Sequence, residues 1–278
     1  GGESIVELLN NPHFHFVKGD VRDQDVLDTV LPGIDYLAHL ASIVGDPACA
    51  KQPDLTRSIN LDGSKALYQA AQRHGVKRFV FASTCSNYGK MDDAAGYVNE
   101  ESPLAPVSLY AETKVEFEQY LMSFKDSDTP CIPTCLRFST VYGLSPRLRF
   151  DLTVNEFSKE LALGRELVIF GEQFWRPYCH VVDLSRSVVE VFNAEQSKVA
   201  FEVFNVGSTA ENYQKKMIID EIRRFLPDIK INYVEKQEDP RDYRVNFDKI
   251  ERVLGFNITK TVPDGIAQVL QVVQDGFI

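Results

Sequence analysis

The sequence predicts an α/β fold in which a doubly wound parallel sheet is accompanied by a smaller, interleaved C-terminal lobe. Short apolar runs rich in β-branched residues alternate with longer amphipathic stretches, which is typical of strand–helix–strand units. The runs are apolar at consecutive positions, as in strands that are buried on both faces. Small or hydroxylated residues follow each run, where open parallel sheets bind their ligands. A chain of 278 residues is long enough to form such a core.

The first half of the chain supplies the predicted sheet. Its strands are predicted at 15–18, 36–40, 79–82 and 134–138, with helices at 24–30, 54–74 and 108–125. After residue 145 the alternation loosens, and we predict helices at 151–163, 183–194, 211–225 and 263–275 and strands at 167–170, 202–206 and 229–234. This change of rhythm indicates a second lobe that is interleaved with the first.

Composition and charge argue against several classes of function. A formal net charge of −10 argues against a general nucleic-acid binder, although a few arginines can still hold one small anionic ligand. No apolar run approaches the roughly 20 residues that cross a bilayer, and no secretory leader opens the chain. We therefore expect no nucleic-acid partner and no membrane partner.

The cysteines indicate a reducing compartment. Five cysteines without a C-x-x-C pair favour free thiols over a disulfide framework, so we predict a cytoplasmic protein. Cys131 and Cys135 bracket Pro133 in an apolar run, and we interpret both as small core residues. The five histidines form no cluster with the spacing of a zinc site, and we expect no metal.

The most informative stretch is YAETK at 110–114. Tyr110 and Lys114 are four residues apart, so on a helix both side chains project from the same face. A neighbouring ammonium stabilises a phenolate, and we expect it to lower the pKa of Tyr110 toward the range in which a phenol transfers protons. The same spacing also arises by chance on surface helices, so the pair needs support from other motifs.

Other motifs give that support, in order along the chain. They are GDVRD at 19–23, HLAS at 39–42, Asn60, STCSNYG at 83–89, LRFSTVYG at 136–143 and WRPYCHVVDL at 175–184. Together with YAETK, these segments resemble the extended short-chain dehydrogenase/reductases, specifically the NAD-dependent epimerase/dehydratase family that acts on nucleotide sugars. The resemblance implies a Rossmann-like sheet, an NAD cofactor, a nucleotide-sugar substrate and a homodimer paired through helices 54–74 and 108–125. It leaves NADP open as the cofactor.

The resemblance also implies a domain division and a set of site residues. Residues 1–145 are expected to form the cofactor-binding domain and 146–278 mainly the substrate-binding lobe, with 181–206 returning to the first domain. The implied catalytic residues are Thr84, Tyr110 and Lys114. The implied cofactor-binding residues are Asp20, Val21, Leu40, Ala41, Ser42, Asn60, Ala82, Lys114 and Phe138. The implied substrate-binding residues are Cys85, Ser86, Thr140 and Arg176.

The roles of these residues are carried over from the family. Tyr110 is expected to be the acid/base, Lys114 to hold the cofactor ribose, and Thr84 to bond the reacting sugar oxygen. Asp20 is expected to accept a hydrogen bond from the adenine amino group. Arg176 is expected to clamp the substrate diphosphate, because a guanidinium presents a fork of donors to phosphate oxygens.

Simpler structural roles compete with several of these assignments. Asp20 and Asp23 each fit the cap of a turn or helix. Arg176 beside Trp175 fits a stacked surface pair, and Thr84 fits a strand-end hydroxyl.

Three more positions invite two interpretations. His180 and Asp183 suggest a triad with a serine, but we interpret His180 as a packed strand residue and Asp183 as a helix N-cap. Asn60 also fits a residue that bonds neighbouring backbone. Arg147 and Arg149 fit either a basic rim for the nucleotide or a solvated loop.

The sequence departs from the family pattern in three places. The family's first strand and its glycine-rich turn, which binds pyrophosphate, have no counterpart, so we interpret the chain as N-terminally truncated by about forty residues, as a fragment or a naturally shortened protein. Cys85 and Ser86 stand where sugar 4,6-dehydratases have an Asp-Glu pair, which argues against elimination of water. Thr140 stands where many epimerases have an asparagine.

We therefore predict an NAD-dependent nucleotide-sugar epimerase, formally an isomerase. It would oxidise a sugar carbon to a keto intermediate and reduce it from the opposite face, with Tyr110 as acid/base. A nucleotide-sugar ketoreductase or dehydrogenase with the same residues is the alternative among oxidoreductases. A non-catalytic scaffold or sensor that lost cofactor binding is the alternative outside enzymes.

Overall fold

The structure is a computed structural model that describes residues 2–91, 96–235 and 241–278. Its strands are β1 (Tyr36–His39), β2 (Arg78–Thr84), β3 (Ile132–Phe138), β4 (Thr140–Tyr142), β5 (Leu167–Phe170), β6 (Trp175–His180), β7 (Glu202–Val206), β8 (Asn212–Gln214) and β9 (Ile231–Val234). Its α-helices are α1 (Gln24–Val30), α2 (Asp46–Lys51), α3 (Pro53–Arg57), α4 (Ser64–Arg73), α5 (Leu109–Met122), α6 (Thr153–Ala162), α7 (Val181–Asn193), α8 (Gln196–Val199), α9 (Lys215–Phe225), α10 (Asp248–Leu254) and α11 (Val262–Gln274). Within these ranges no helix combines the length and the apolar character needed to cross a membrane.

The central sheet is parallel and has the strand order β1-β2-β3-β7. Its register sets Thr84 beside Phe138 and Phe138 beside Val206. These three residues therefore end their strands at the same carboxyl edge, where ligands bind in open α/β sheets. The predicted α/β class with a parallel, Rossmann-like sheet is confirmed.

Both faces of the sheet are covered, which explains why its strands are apolar at consecutive positions. Phe79 and Phe81 pack into a cluster with α4 and α5, whereas Val80 faces a second cluster that includes residues of α7 and α10. A strand turns successive side chains to opposite faces, so both sets must be apolar. All five cysteines are buried and free, with Cys131 and Cys135 in the first cluster, as predicted.

The segment 15–18 is not a strand, so that prediction was wrong. It has no regular secondary structure, and the side chains of Phe16 and Val17 are exposed. A strand needs a hydrogen-bonded neighbour, and among the described residues no strand pairs with 15–18. This segment borders a groove beside β1, which forms the edge of the described sheet.

The predicted helix at 54–74 is irregular in its middle. It divides into α3, a π-helical turn at Ser58–Gly63 and α4. π-Helical turns within helices often occur at functional sites. Asn60 lies in this turn, which directs its amide to the loop that follows β1.

The chain leaves the central sheet directly after β3. β4 pairs with β6, and β6 pairs in the antiparallel direction with β8. β5 and β9 form a separate parallel pair, and α6, α9 and α11 pack together in a third apolar cluster. The remaining helix predictions and the strands at 167–170, 202–206 and 229–234 correspond to observed elements, whereas β4, β6, β8, α2, α8 and α10 were not predicted as elements.

The boundary between β6 and α7 corrects the predicted N-cap of the helix, which is His180 rather than Asp183. His180 is the buried last residue of β6, as predicted, and its Nδ1 accepts the backbone N–H of Val182, so His180 is the N-cap. Asp183 lies inside the first turn and is not the cap. Its carboxylate instead accepts hydrogen bonds from the backbone of Thr259 and Lys260. The helix starts immediately after the strand, which leaves no loop residue to serve as cap.

Candidate active site

Helix α5 brings Tyr110 and Lys114 to the edge of the central sheet. Ser108 caps the helix by accepting the backbone N–H of Ala111 at 3.3 Å, so Tyr110 lies in its first turn. The side chains at 110 and 114 both line a cavity of about 600 Å³. The i, i+4 spacing therefore places both groups on one face, as expected for a helix.

Lys114 is a buried cation that is fixed by the sheet. Its Nζ donates to the backbone oxygen of Ala82 at 2.8 Å and lies 4.6 Å from the ring centroid of Phe81. The same Nζ lies 5.7 Å from the ring centroid of Tyr110. Burial lowers the pKa of Lys114 to about 8, although the nearby carboxylate of Glu118 acts in the opposite direction.

Tyr110 does not have the lowered pKa that the sequence suggested. Burial raises the pKa of Tyr110 to about 12, because a phenolate loses more from desolvation than a phenol does. A hydrogen bond with the side chain of Thr84 acts in the opposite direction but is the smaller effect. The prediction that the neighbouring Lys114 ammonium lowers the pKa of Tyr110 was wrong for the protein without ligands, since burial outweighs every favourable neighbour.

Thr84 joins the strand end to the phenol. It is the last residue of β2, and its Oγ1 accepts the backbone N–H of Ser86 at 3.1 Å, which caps the 3₁₀ turn Cys85–Tyr88. The same side chain bonds to Tyr110 and lines the cavity. Thr84 can therefore cap the turn and also present its hydroxyl to a ligand in the cavity.

The residues expected to bind a cofactor lie along two neighbouring cavities. Leu40, Ala82, Lys114 and Phe138 line the large cavity. Asp20, Val21, Leu40 and Ala41 line a groove of about 400 Å³ beside β1. Leu40 belongs to both linings, so the two cavities adjoin at the end of β1.

Asn60 and Ser42 lie beside these cavities rather than in their linings. The Asn60 amide accepts the backbone N–H of Ile43 at 2.8 Å and donates to the Ile43 carbonyl at 2.9 Å. Ser42 donates to the same carbonyl at 3.1 Å. Asn60 thus fixes the loop after β1, which is the simpler of its two interpretations.

Asp20 already has a strong partner. Arg22 donates to both carboxylate oxygens, at 2.9 and 2.7 Å, and lowers the pKa of Asp20 to about 2. The carboxylate is therefore ionised at neutral pH and remains partly accessible in the groove. Asp23 caps α1 by accepting the backbone N–H groups of Asp25 and Val26, as its simpler interpretation predicted.

The expected substrate residues divide into two groups. Ser86 and Thr140 line the large cavity, whereas Cys85 and Arg176 lie outside its lining. The Cys85 thiol is buried and donates to the backbone oxygen of Arg137 at 3.2 Å.

Arg176 contacts a residue of the cavity wall but does not line the cavity itself. Its guanidinium stacks 5.5 Å from the ring centroid of Tyr243, and its Nη1 donates to the Trp175 carbonyl at 2.6 Å. Tyr243, rather than Arg176, forms the cavity lining at this point.

Four cavity residues complete the site: Asp46, Arg149, Arg241 and Tyr243. Arg241 donates to Asp46 at 2.8 Å, and Arg149 pairs with Asp151 at 2.7 Å. Sequence reasoning considered Arg149 as a possible rim residue, while Arg147 is exposed and outside the lining. Asp46, Arg241 and Tyr243 were missed because no local motif marks them and the two partners of the pair are 195 positions apart.

No catalytic triad forms around His180. Its Nε2 bonds to Gln268 at 2.8 Å, and its Nδ1 caps α7. The described ranges also contain no group of three or more His, Cys, Asp or Glu side chains placed to hold a metal ion.

Comparison with known proteins gives consistent matches. A profile of the "NAD dependent epimerase/dehydratase family" matches residues 3–207. The chain is 27% identical to the "Uncharacterized UDP-glucose epimerase YtcB" of Bacillus subtilis, with 95% of this chain and 82% of that protein covered. It is 28% identical to a dTDP-glucose 4,6-dehydratase of Actinoplanes sp., with coverages of 95% and 81%.

Solved structures with the same fold include enzymes of both kinds. The UDP-glucose 4-epimerase of Thermotoga maritima, solved with UDP-glucose, superimposes with a TM-score of 0.85 at 23% identity, covering 98% of this chain and 88% of that one. DesIV, a dTDP-glucose 4,6-dehydratase of Streptomyces venezuelae solved with NAD and TYD, gives a TM-score of 0.83 at 25% identity, with coverages of 97% and 82%.

Proposed function

The chain belongs to the NAD dependent epimerase/dehydratase family, a family of enzymes, and from this membership we propose that it is an NAD-dependent nucleotide-sugar epimerase. The observation that carries the proposal is the convergence of Thr84, Tyr110 and Lys114 on one cavity at the carboxyl edge of the parallel sheet. Relatives with 25–28% identity over most of the chain include UDP-glucose 4-epimerases.

The two adjoining cavities fit an extended dinucleotide. The groove beside β1 offers Asp20 and Val21 to an adenine, and the large cavity offers Ala82, Lys114 and Phe138 to a ribose and nicotinamide. When bound, NAD supplies the acceptance and return of a hydride. The solved relative DesIV contains NAD, and another structure of the same fold, RMD of Pseudomonas aeruginosa, contains NADPH, so NADP remains the second candidate.

Three side chains handle the proton. Tyr110 receives a proton from a sugar hydroxyl during oxidation and returns it to the same oxygen during reduction. Thr84 donates a hydrogen bond to that oxygen, and the Lys114 ammonium stabilises the phenolate. Burial raises the pKa of Tyr110 to about 12 with Lys114 already beside it, so Lys114 lessens the cost of forming the phenolate without removing it.

Epimerisation fits the cavity better than 4,6-dehydration. Eliminating water requires an acid for the leaving hydroxyl and a base for the neighbouring carbon. Cys85 is buried outside the cavity with a raised pKa, and Ser86 offers only a hydroxyl. This difference separates the chain from its dehydratase relatives and supports the epimerase assignment.

The diphosphate is held by arginines at the cavity. Arg149 and Arg241 line it directly, and guanidinium groups suit phosphate oxygens. Arg176 supports the same wall through its stacking on Tyr243. We therefore extend the sequence assignment from Arg176 to include these two arginines.

The domain division, dimer and compartment remain proposals. The place of β7 in the central sheet supports the return of 181–206 to the domain formed by 1–145, with the rest of 146–278 as the substrate lobe. Arg57 pairs with Glu112 at 3.5 Å and Glu116 at 3.1 Å, so the helices at 54–74 and 108–125 present one continuous face for a homodimer. Light scattering in solution tests the dimer, and the buried free thiols support a cytoplasmic location.

The test is turnover of nucleotide sugars by the wild type and by Tyr110→Phe. The phenylalanine removes the hydroxyl alone, so we expect turnover to fall by about 10²–10⁴-fold while nucleotide-sugar binding persists. Tyr233→Phe, at an exposed position of β9, is the matched control. Near-normal turnover in Tyr110→Phe contradicts the mechanism. Stoichiometric change in the absorbance of reduced nicotinamide assigns the protein to the reductase alternative, because an epimerase produces no net change.

A further inference from the structure

We propose that Glu118 and Arg137 are positioning residues of the active site, and that the Glu118 carboxylate supplies the negative charge that the Lys114 ammonium faces one helical turn away. This inference rests on the proposed function for the roles of Thr84, Tyr110 and Lys114. It concerns a buried ion pair behind the cavity, and neither partner belongs to the cavity lining.

The pair is buried and multiply bonded. The side chains of Arg137 and Glu118 are only 5% and 4% exposed. Nη2 of Arg137 donates to Oε2 of Glu118 at 2.7 Å, and its Nε donates to both carboxylate oxygens at 3.1 and 3.2 Å. Such a fork fixes the relative orientation of the two groups as well as their separation.

The Glu118 end of the pair holds the end of β2. Ser83 donates its hydroxyl hydrogen to Oε1 of Glu118, and the Asn87 amide donates to the same oxygen at 2.9 Å. Ser83 immediately precedes Thr84, and Asn87 lies in the turn that Thr84 caps. The carboxylate therefore ties α5 to the residues on both sides of Thr84.

The Arg137 end holds β3 and β7. Its Nη1 donates to the Tyr88 hydroxyl at 2.9 Å, and Tyr88 donates to Oδ1 of Asn205 on β7 at 2.8 Å. Arg137 also precedes Phe138, which lines the cavity. A single network thus links the elements that carry Thr84, Phe138 and the two catalytic side chains of α5.

Helix geometry adds an electrostatic role. Residues 110, 114 and 118 follow one another at four-residue intervals on α5, so Glu118 lies one turn beyond Lys114. The titratable groups that face Lys114 from the packed elements are Glu118 and Tyr110 on α5, His39 on β1, Cys49 on α2 and Cys135 on β3.

Apart from Glu118, these neighbours are neutral near pH 7. Burial lowers the pKa of His39 to about 3 and raises the pKa values of Cys49, Cys135 and Tyr110. The Glu118 carboxylate, which is paired with Arg137, is the neighbour that raises the pKa of Lys114 against desolvation.

Stability alone gives little reason for this pair. Replacing a buried ion pair by apolar residues of similar volume is often neutral or stabilising, whereas removing one partner is destabilising. The double variant Glu118→Met/Arg137→Met consequently keeps the fold while it removes the network. Glu118→Gln keeps the shape of the side chain, removes the negative charge and replaces one accepting oxygen by an N–H donor, so one group of donors to Glu118 loses its acceptor.

The experiment measures the titration of Lys114 by NMR of lysine-labelled protein, with the resonance assigned by its absence in Lys114→Met. We expect the pKa of Lys114 to fall by on the order of one unit in Glu118→Gln and in the double variant, because each removes the carboxylate that holds this pKa up. Glu202→Gln is the matched control. It breaks an ion pair with Lys249, whose atoms are 2.7 Å apart and which does not line the cavity, and we expect the titration of Lys114 to stay unchanged.

A kinetic measurement tests the positioning role. We expect the turnover number to fall at least about tenfold in both Glu118 variants, with KM for the nucleotide sugar nearly constant and the alkaline limit of the pH profile moved to lower pH. If Glu118→Gln does not fold, the double variant decides both measurements. An unchanged Lys114 titration together with wild-type turnover overturns the proposal. Because the NMR titration needs no substrate, a wild type that proves inactive on nucleotide sugars overturns the proposed function while the titration still decides the role of Glu118.

Discussion

Replacing Lys114 by methionine should stabilise the fold while it abolishes turnover. Burial lowers the pKa of Lys114 from 10.5 to about 8, which means that folding disfavours the ammonium by about 3 kcal/mol relative to the neutral amine. Methionine of similar length removes this penalty but loses the hydrogen bond to Ala82, worth about 1 kcal/mol. The net expectation at pH 7 is a gain of about 2 kcal/mol, or about 3 °C in the midpoint of thermal unfolding for a chain of this size.

The sign of the pH dependence follows from the same shift. Between pH 8 and 10.5 the unfolded chain still holds the Lys114 proton, whereas the folded protein has released it. Stability rises with pH wherever the unfolded state binds more protons. The stability of the wild type therefore increases as the pH rises through that window. The advantage of Lys114→Met is therefore present below pH 8 and shrinks as the pH approaches 10.5.

Urea unfolding at several pH values measures both effects. Other groups titrate in the same range, but they are common to the two proteins and cancel in the difference. Lys125→Met, at an exposed position just after α5, is the control and should change stability little. A Lys114→Met protein that is less stable than the wild type at pH 7, or whose advantage does not shrink with pH, would refute the reasoning.

Three further predictions test the site and the fold. Thr84→Val should lower turnover by about tenfold or more, since it removes the hydroxyl that bonds Tyr110; unchanged rates would exclude Thr84 from the chemistry. Gly143→Ala should cost about 3 kcal/mol or more in urea unfolding, because its φ is +98° and a Cβ there would lie 2.1 Å from the His180 ring; a neutral result would contradict the backbone geometry. Arg241→Gln should weaken binding of a nucleoside diphosphate more than Arg176→Gln does, as isothermal titration can measure, because Arg241 lines the cavity and Arg176 does not; the reverse order would favour Arg176 as the main diphosphate residue.

The strands of the sheet were predicted correctly where an apolar segment also has a neighbouring strand to pair with. The strands around Phe79, Val80 and Leu136 are apolar at consecutive positions because helices cover both faces, and sequence alone carries that signal. The segment around Phe16 carries the same apolar signal but has no partner among the described strands. Pairing is a property of two segments, so one segment cannot establish it.

The candidate site was predictable in so far as its residues lie in motifs. Tyr110 and Lys114 share a helical face because of their spacing, and Thr84 ends a strand; the family motifs that contain them predicted that they meet at one sheet edge. Asp46 and Arg241 meet only through the folded chain, and no local pattern foretells such a pair. The predicted lowering of the pKa of Tyr110 was wrong for a related reason. The sequence identifies a neighbouring charge but not how deeply the phenol is buried.

The arginines at the large cavity are already engaged with the protein's own carboxylates, Arg241 with Asp46 and Arg149 with Asp151. Each of these four side chains is about one third or more exposed, so each pair contributes about 1 kcal/mol or less. If a substrate diphosphate binds at these arginines, as proposed above, its oxygens can replace a resident carboxylate at small cost and meet guanidinium groups that are already in position. In an acidic protein of net charge −10, these carboxylates act as internal counterions that neutralise the two arginines while no ligand is bound. Added salt weakens both the arginine–carboxylate pairs and the attraction between the arginines and an anionic ligand. The affinity for that ligand should therefore depend less on ionic strength than it would for two unpaired arginines.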